Sequence, residues 1–388
     1  MTPNFEYGTC CIRDLQVPED CPADAVDTPA GPRSSNTRAT AGTPKTLLLD
    51  GKTVRTSKRF WTSLQMRFGF TPNVFKYFTH REVFQRISKH NADDDVRYCL
   101  ESQEDGGEPR LLAVSNPRNA VVDRGELDGL LTRYGALKRE YHDGIVRSTH
   151  APRHGGPFTI AGDGFESQYV IETPIDGFGR PMVYLAMLRQ VCTNGAIAMT
   201  KTFRSEINLG KSSKKNAVNA TFGLERALEG FNNEEGFAAL RQRFDGASRS
   251  WASIHEVARL GRILADLVTT KQLPYHLGST ATEHGTLPGS MSLVAAYRRI
   301  TGDLMSMYGL ANMDAITAKR QRSLPTACKV YDLLNFTSEL ATHHAQPHGA
   351  RKLQGFIGDL VSSEFDLENS ADTFSDWRDF FLEGSTKA

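Results

Sequence analysis

Lysine and arginine residues are interspersed with aromatic residues from Lys52 to Arg81. Together these residue types suit the binding of single-stranded nucleic acid. From Pro44 to Arg81 there are eight Lys or Arg residues and a single acid, Asp50. Such cations contact phosphates, while flat rings stack on unpaired bases. The candidate phosphate contacts are Lys52, Arg55, Lys58, Arg59 and Arg67, and the candidate stacking residues are Phe60 and Trp61. In the alternative interpretation, the rings point into a hydrophobic core and the cations face water.

A second basic run follows much later in the chain. Its five cations stand against Glu206 alone, and they are Lys201, Arg204, Lys211, Lys214 and Lys215. Gly210-Lys211-Ser212 is similar to the end of a nucleotide-binding phosphate loop, but that loop needs a glycine where Ser205 stands. The pattern therefore argues against nucleotide hydrolysis. It is typical either of a solvated loop or of further phosphate contacts.

Glu339, His343 and His344 are residue types that bind metal ions. Glu339 and His343 are four residues apart, so on one helix both side chains would face the same ion. The alternative is a helix C-terminus carrying histidines, which the helix dipole favours there. Pro347 and Gly349, just beyond, fit such an ending.

Other catalytic signals are weak. Cys192 could act as a nucleophile next to Arg189, or it could be a small buried residue of a hairpin. The common zinc-protease, serine-hydrolase and dinucleotide-binding motifs do not occur in the sequence. The sequence favours a protein that is not an enzyme, and no cofactor is predicted.

The C-terminal residues are acidic and aromatic. From Asp359 to Ala388 there are eight acids and two bases. Phe374, Trp377 and Phe381 follow at spacings of three and four, which predicts one apolar helical stripe. This stripe either docks on the protein's own core or recruits a protein partner.

Composition narrows the class of protein. The chain has 388 residues, a net charge of +1, and no apolar run of the roughly 20 residues that a membrane helix needs. The six cysteines include no Cys-x-x-Cys pair, which argues against a disulfide or zinc scaffold. We expect a cytoplasmic protein, in the host cell, with no membrane partner.

Hydrophobic periodicity predicts an α+β fold, with a mainly antiparallel sheet in the first half and a helical second half. The predicted regions are a disordered arm (1–45), a strand-rich basic region (46–220), a helical region (221–363) and an acidic aromatic tail (364–388). A hairpin is expected around Asp50-Gly51, and a second one with Asn194-Gly195 as its turn. A helix is expected from Phe75 to Lys89.

Two separated motifs resemble a phage- and plasmid-borne family of unassigned function, the domain-of-unknown-function nine-three-two family. The first is the strand end Arg189-Gln-Val-Cys-Thr-Asn-Gly195, and the second is the helix from Asn335 through Glu339 to His343. The resemblance runs from about Leu111 to about Leu360. It departs at Ser338, where the family usually has Thr, and at Tyr331, where it often has Trp. It implies a role in mobile-element biology without assigning a chemistry.

These observations lead to one main hypothesis and two alternatives. The main one is a phage- or plasmid-encoded protein that binds single-stranded DNA in replication or recombination, with strand annealing by a homo-oligomer as one form of that activity. The first alternative is a virion-associated or host-takeover protein that self-assembles. The second is a metal-dependent enzyme.

Overall fold

A computed structural model of the chain has a mixed α+β fold, rich in antiparallel strands in the first half and mainly helical among the described residues from 220 onward, which confirms the predicted class. The structure describes residues 3–18, 26–27, 43–91, 94–102, 107–153, 156–189, 194–197, 204–207, 209, 220–230, 234–274, 293–302 and 325–362. The strands are β1 (Asn4–Cys11), β2 (Leu15–Gln16), β3 (Val26–Asp27), β4 (Thr43–Pro44), β5 (Thr46–Leu49), β6 (Lys52–Thr56), β7 (Asp95–Ser102), β8 (Arg110–Ser115), β9 (Lys138–His142), β10 (Ile145–His150), β11 (Phe158–Ile160), β12 (Asp163–Pro174), β13 (Met182–Arg189), β14 (Asn194–Ile197), β15 (Arg204–Glu206), β16 (Trp251–Ser253) and β17 (Pro325–Lys329). The helices are α1 (Lys58–Phe68), α2 (His80–His90), α3 (Arg124–Arg133), α4 (Ala220–Gly230), α5 (Glu234–Arg249), α6 (Ile254–Thr269), α7 (Leu293–Thr301), α8 (Val330–Glu339) and α9 (Pro347–Ser362).

The chain divides into two compact units, each built from separated segments. Unit 1 comprises Met1–Ser148, Ile171–Met182 and Glu206–Gly230, and unit 2 comprises Thr149–Val170, Val183–Ser205 and Phe231–Ala388. Each region predicted from composition is one continuous stretch of the chain. Each unit instead combines several stretches, which are separated in the strand-rich part by stretches of the other unit. Composition is read along the chain, so it does not indicate where the chain leaves a unit and later returns to it.

A six-stranded sheet in the order β1-β7-β8-β6-β5-β2 forms the centre of unit 1. The predicted hairpin is confirmed, because β5 pairs with β6 from Thr46↔Arg55 to Leu49↔Lys52. Its turn residues Asp50 and Gly51 have φ values of 54° and 76°, as a two-residue turn of this kind requires. The pairings in this sheet are antiparallel except for the parallel pairing of β6 with β8.

The amino-terminal residues belong to this sheet, so the prediction of a disordered arm is wrong for β1 and β2. Strand β1 pairs with β7 along its whole length, from Asn4↔Ser102 to Cys11↔Asp95. A Cβ atom at Gly8 would lie 2.2 Å from the far end of the Tyr98 side chain, so a larger residue there would force that ring to move. The prediction overlooked the apolar residues of the segment, since Ile12 and Leu15 are buried in the core. Residues 19–25 and 28–42 of the predicted arm lie outside the described part of the chain.

Strands β1 and β2 lie at opposite edges of the sheet although only a short 3-10 turn, Ile12–Asp14, separates them in sequence. Backbone hydrogen bonds hold this turn at both sides, from Ile12 N–H to the Asp94 carbonyl and from Asp50 N–H to the Asp14 carbonyl. Because four residue steps span at most roughly 14 Å, the two edges of the sheet must approach each other.

Helix α1 packs across β8 and fills the hydrophobic core of unit 1. It begins at the N-cap Ser57, whose side chain accepts a hydrogen bond from Phe60 N–H, and it ends at Gly69 with φ 70°. These are common start and stop residues of helices. Helix α2 begins later than predicted, at His80, because Thr79 and Glu82 form a capping box and a 3-10 turn, Pro72–Lys76, precedes it.

Two packed helices and a hairpin also belong to unit 1. Helix α4 lies against α3, where Arg133 contacts Glu225 at 2.7 Å. Strands β9 and β10 are neighbours in a second sheet, in the order β14-β13-β12-β10-β9, and the last residues of β12 belong to unit 1. Arg147 of β10 pairs with Glu172 of β12 at 2.7 Å.

In unit 2, β14 pairs with β13, and β11 pairs with β12. The predicted pairing after Arg189 is confirmed, but the predicted turn is wrong. Arg189 faces Asn194 and Leu188 faces Gly195, so Asn194 and Gly195 lie within β14. The residues that connect the two strands are therefore 190–193, which lie outside the described residues.

Helices make up most of the described residues of unit 2. Helix α6 begins at a capping box of Ser253 and Glu256, and α8 packs against α5, α9 and β14. A π-helical segment, Leu340–His344, follows α8, and α9 then begins at Pro347, a residue favoured in the first turn of a helix. Within the described ranges, no helix has both the length and the apolar character needed to cross a bilayer.

Candidate nucleic-acid interface

The two aromatic residues predicted to stack on bases lie in the core of unit 1. Phe60 is 0% exposed and Trp61 is 5% exposed. The Trp61 ring makes edge-to-face contacts with Phe75 and Phe84, at centroid distances of 6.0 Å for both. Both rings are therefore enclosed by other side chains, and the prediction that they stack on bases is corrected. The alternative interpretation, with rings inside and cations outside, describes this face of α1.

Arg59 is also occupied within the protein. Its guanidinium pairs with the Asp176 carboxylate, with one contact at 3.0 Å, and it also donates to the Phe178 carbonyl. The Asp176 side chain is fully buried, and that of Arg59 is 16% exposed. Burial raises the pKa of Asp176, and the hydrogen bonds from Arg59 oppose the rise. Arg59 thus neutralises a buried acid and is a poor candidate for a phosphate contact.

The remaining cations of the first basic segment divide into two groups. Arg67 pairs with Asp94 at 3.0 Å, and its side chain is 24% exposed. Lys52, Arg55 and Lys58 are exposed and have no carboxylate partner among the described residues. Lys52 and Arg55 are three residues apart on β6, so they point to opposite faces of the strand. These three cations remain available to phosphates, but they do not form one row.

Little of the second basic run lies in the described part of the chain. Arg204 is exposed at the start of β15. Lys201, Lys211, Lys214 and Lys215 lie outside the described residues, as do Phe374, Trp377 and Phe381 of the acidic tail. Of the five cations in this run, Arg204 alone is among the described residues.

One ring of the first basic segment is exposed, and the sequence did not single it out. Tyr77, between the 3-10 turn and α2, is 78% exposed. Phe78 beside it is partly buried, and the Arg86 guanidinium lies over its ring at 4.4 Å from the centroid. In the sequence Tyr77 is one of several aromatic residues, and nothing in their spacing distinguishes the exposed one. The Thr79-x-x-Glu82 capping box did signal the helix start that leaves Tyr77 outside α2.

The residues proposed as metal ligands lie at the end of α8 in unit 2. Regular α-helix ends at Glu339, and the rings of His343 and His344 in the π-helical segment are 6.4 Å apart. Burial lowers the pKa of His344, and the charge of Glu339 opposes this change. Where the structure describes the chain, no three His, Cys, Asp or Glu side chains are grouped so that they could hold a metal ion. The geometry gives no support to a metal site here.

Residues of the two distant sequence motifs meet at Asp163 in unit 2. Arg189 Nη2 lies 2.8 Å from Asp163 Oδ2, and the Tyr331 hydroxyl donates to the same oxygen at 2.6 Å. Burial acts to raise the pKa of Asp163, but the hydrogen bonds from Arg189 and Tyr331 outweigh it and hold the pKa below its ordinary value. Burial, followed by the bond to Asp163, raises the pKa of the Tyr331 phenol.

This cluster holds secondary-structure elements in place. Neither Asp163 nor Tyr331 exchanges a proton near neutral pH. The carboxylate stays charged and the phenol stays protonated, so the network links β12, β13 and α8 through a permanent set of hydrogen bonds. Cys192, the candidate nucleophile nearby in sequence, lies outside the described residues. The motif residues that the structure describes here have a structural role in this geometry.

Comparison of the chain with protein-family models, with curated proteins and with solved structures found no match. The resemblance to the phage and plasmid family stays a prediction.

Proposed function

We propose that this protein binds single-stranded nucleic acid, as part of the replication or recombination of a phage or plasmid. In this proposal unit 1 provides the contacts. Tyr77 stacks on a base, and Lys52, Arg55 and Lys58 contact phosphates. Phe60, Trp61, Arg59 and Arg67 are no longer part of the proposed interface, because they are buried or paired.

The exposed ring of Tyr77 is the observation that carries the proposal. Its neighbours in the same segment, Phe70, Phe75 and Phe78, belong to the core or pack against it. A ring that is 78% exposed has a free face for a base. The exposed cations of the same unit supply the attraction to a phosphate backbone, which a ring alone does not.

Stacking can be tested by changing Tyr77 and measuring oligonucleotide binding by fluorescence anisotropy. Tyr77→Ala should weaken the binding of a labelled single strand by about tenfold, since stacking contributes roughly 1 to 3 kcal/mol per base. Tyr77→Phe keeps the ring and should keep most of the affinity. Met66→Ala is the matched control, because Met66 is 71% exposed in the same unit but has no ring.

The phosphate contacts can be tested through salt dependence. The double variant Arg55→Glu with Lys58→Glu should weaken binding and reduce the slope of log affinity against log salt by roughly 1.4, about 0.7 for each lost phosphate contact. Arg262→Glu with Lys271→Glu makes the same charge change at exposed positions of unit 2 and serves as the control. Affinity that is indifferent to both Tyr77 and these cations would refute the proposal.

A further inference from the structure

A groove in unit 1 lies between α2 and the amino-terminal segment. It has a volume of about 560 Å³, and Arg13, Gln16 and Val17 line one wall while Arg81, Gln85 and Lys89 line the other. Backbone pairing fixes the first wall, because Leu15 pairs with Leu49 and Gln16 with Leu48. Its volume is within the range of roughly 300 to 1,000 Å³ that is typical of small-molecule sites.

The charge of the groove is positive. Arg13, Arg81 and Lys89 line it, and no carboxylate is among the described residues that do so. Arg81 Nη2 donates to the Pro18 carbonyl at 3.3 Å, which leaves its other N–H groups for a ligand. Arg13 Nε lies 3.9 Å from Asp14 Oδ1, a weak contact between partly exposed side chains. Lys89 is exposed and makes no side-chain bond within the described part of the chain.

Polar and apolar side chains are both present beside these cations. Gln85 and Ser88 lie between Arg81 and Lys89 on one face of α2, and they can donate and accept hydrogen bonds. Val17 and Leu48 add partly exposed apolar surface, and the buried side chains of Leu15 and Phe84 form the floor beneath it. A ligand that suits this lining has a strong negative charge at one end and a flat or apolar part next to it.

We propose that this groove binds the phosphomonoester of a nucleotide, either at the 5′ end of a strand or in a free mononucleotide. A phosphomonoester carries a charge of about −1.5 to −2 at neutral pH, so it matches three cations better than a single backbone diester does. The base and sugar contact the apolar side chains. The choice of a strand end rests on the proposed nucleic-acid binding.

The test compares two labelled oligothymidylates that differ only in a 5′-phosphate or a 5′-hydroxyl, bound to the full chain. The 5′-phosphorylated strand should bind about tenfold more tightly. Lys89→Gln should reduce this ratio, and Arg81→Gln with Lys89→Gln should bring it to one. Arg55→Gln with Lys58→Gln, outside the groove, should weaken both strands equally. Thermal melting of each variant confirms that it is folded.

The outcomes separate this site from the proposed function. Equal binding of the two strands by the unchanged protein overturns the groove site and leaves single-strand binding intact. If neither strand binds but thymidine monophosphate does, by calorimetry and with loss in the double groove variant, the groove site stands and the proposed function fails. Inorganic phosphate that competes as well as thymidine monophosphate overturns the assignment to a nucleotide.

Discussion

Each of the two units contains an arginine paired with an aspartate, and the two pairs differ in their access to water. Arg59 of unit 1 holds Asp176, whose side chain is fully buried. Arg189 of unit 2 holds Asp163, and both side chains are about one fifth exposed, at 21% and 19%. The first pair balances charge inside a core, while the second forms part of an open hydrogen-bonded cluster that includes Tyr331.

In both pairs the role of the arginine depends on its partner and not on its neighbours in sequence. Arg59 stands in a run of exposed cations, yet its partner is 117 positions away. Among the cations of that run, those with a carboxylate partner serve the fold, and those without one remain free to meet a ligand. Four changes test or sharpen this division.

The largest effect is expected from Arg59→Met. It removes the partner of a buried carboxylate, and breaking a buried pair in this way costs about 3 to 5 kcal/mol of unfolding free energy. Urea denaturation measures the loss. Adding Asp176→Asn to Arg59→Met should recover part of it, because the uncompensated charge is then gone. A loss below about 1 kcal/mol would mean that the pair is not buried in solution.

A pH-dependent loss of folding stability is expected from His80, which packs in the core of unit 1. The ring stacks on Phe75 at a centroid distance of 4.3 Å, and burial lowers the pKa of His80 from 6.5 to about 4. Between pH 6.5 and pH 4 the His80 ring is mostly protonated in the unfolded chain and mostly neutral in the folded one. The folded state therefore loses stability as the pH decreases, by about 2 kcal/mol at pH 5. In melting experiments, His80→Phe should reduce the difference between pH 7.5 and pH 5. An unchanged difference would contradict the prediction.

A smaller effect is expected from Asp163→Asn in unit 2. The change removes the charge that Arg189 and Tyr331 both contact, but water can reach the site, so the expected cost is about 1 to 2 kcal/mol. Tyr331→Phe removes one hydrogen bond and should cost about 1 kcal/mol. Urea denaturation with a probe in unit 2 measures both. A cost as large as that of Arg59→Met would abolish the contrast between the two pairs.

The smallest effect is expected from Arg55→Gln. Arg55 is exposed and has no carboxylate partner within the described residues, so the change in unfolding free energy should stay within about 0.5 kcal/mol. The same variant should weaken oligonucleotide binding. A clear loss of stability would place Arg55 with Arg59, among the residues that serve the fold.

The sequence predicted local features well where neighbouring residues determine them. Asp50-Gly51 fixed the hairpin of β5 and β6, and the spacing of apolar residues identified the helical second half. Ser57 and Gly69 are the start and stop residues of α1, and both are of the types that commonly begin and end a helix. The helix would have shown that Phe60 and Trp61 share a face with Leu64, which is typical of residues that pack inwards.

Other features depend on residues far apart in sequence, and no local pattern reveals them. The burial of Asp176 under Arg59 and the meeting of Arg189 and Tyr331 at Asp163 are set by the arrangement of strands and helices. The same holds for the groove, since its walls come from residues near 15 and near 85. Resemblance indicated that Arg189 and Tyr331 belong to motifs, but only the structure joins them.

The position of β1 and β2 at opposite edges of one sheet has a consequence for aggregation. An uncovered edge strand presents unpaired backbone groups to which another chain can add a strand. Here a single segment, Asn4–Gln16, covers β7 on one side and β5 on the other. Loss or detachment of this segment would turn β7 and β5 from interior strands into edge strands at the same time, and a neighbouring copy of the protein could then add a strand to either of them.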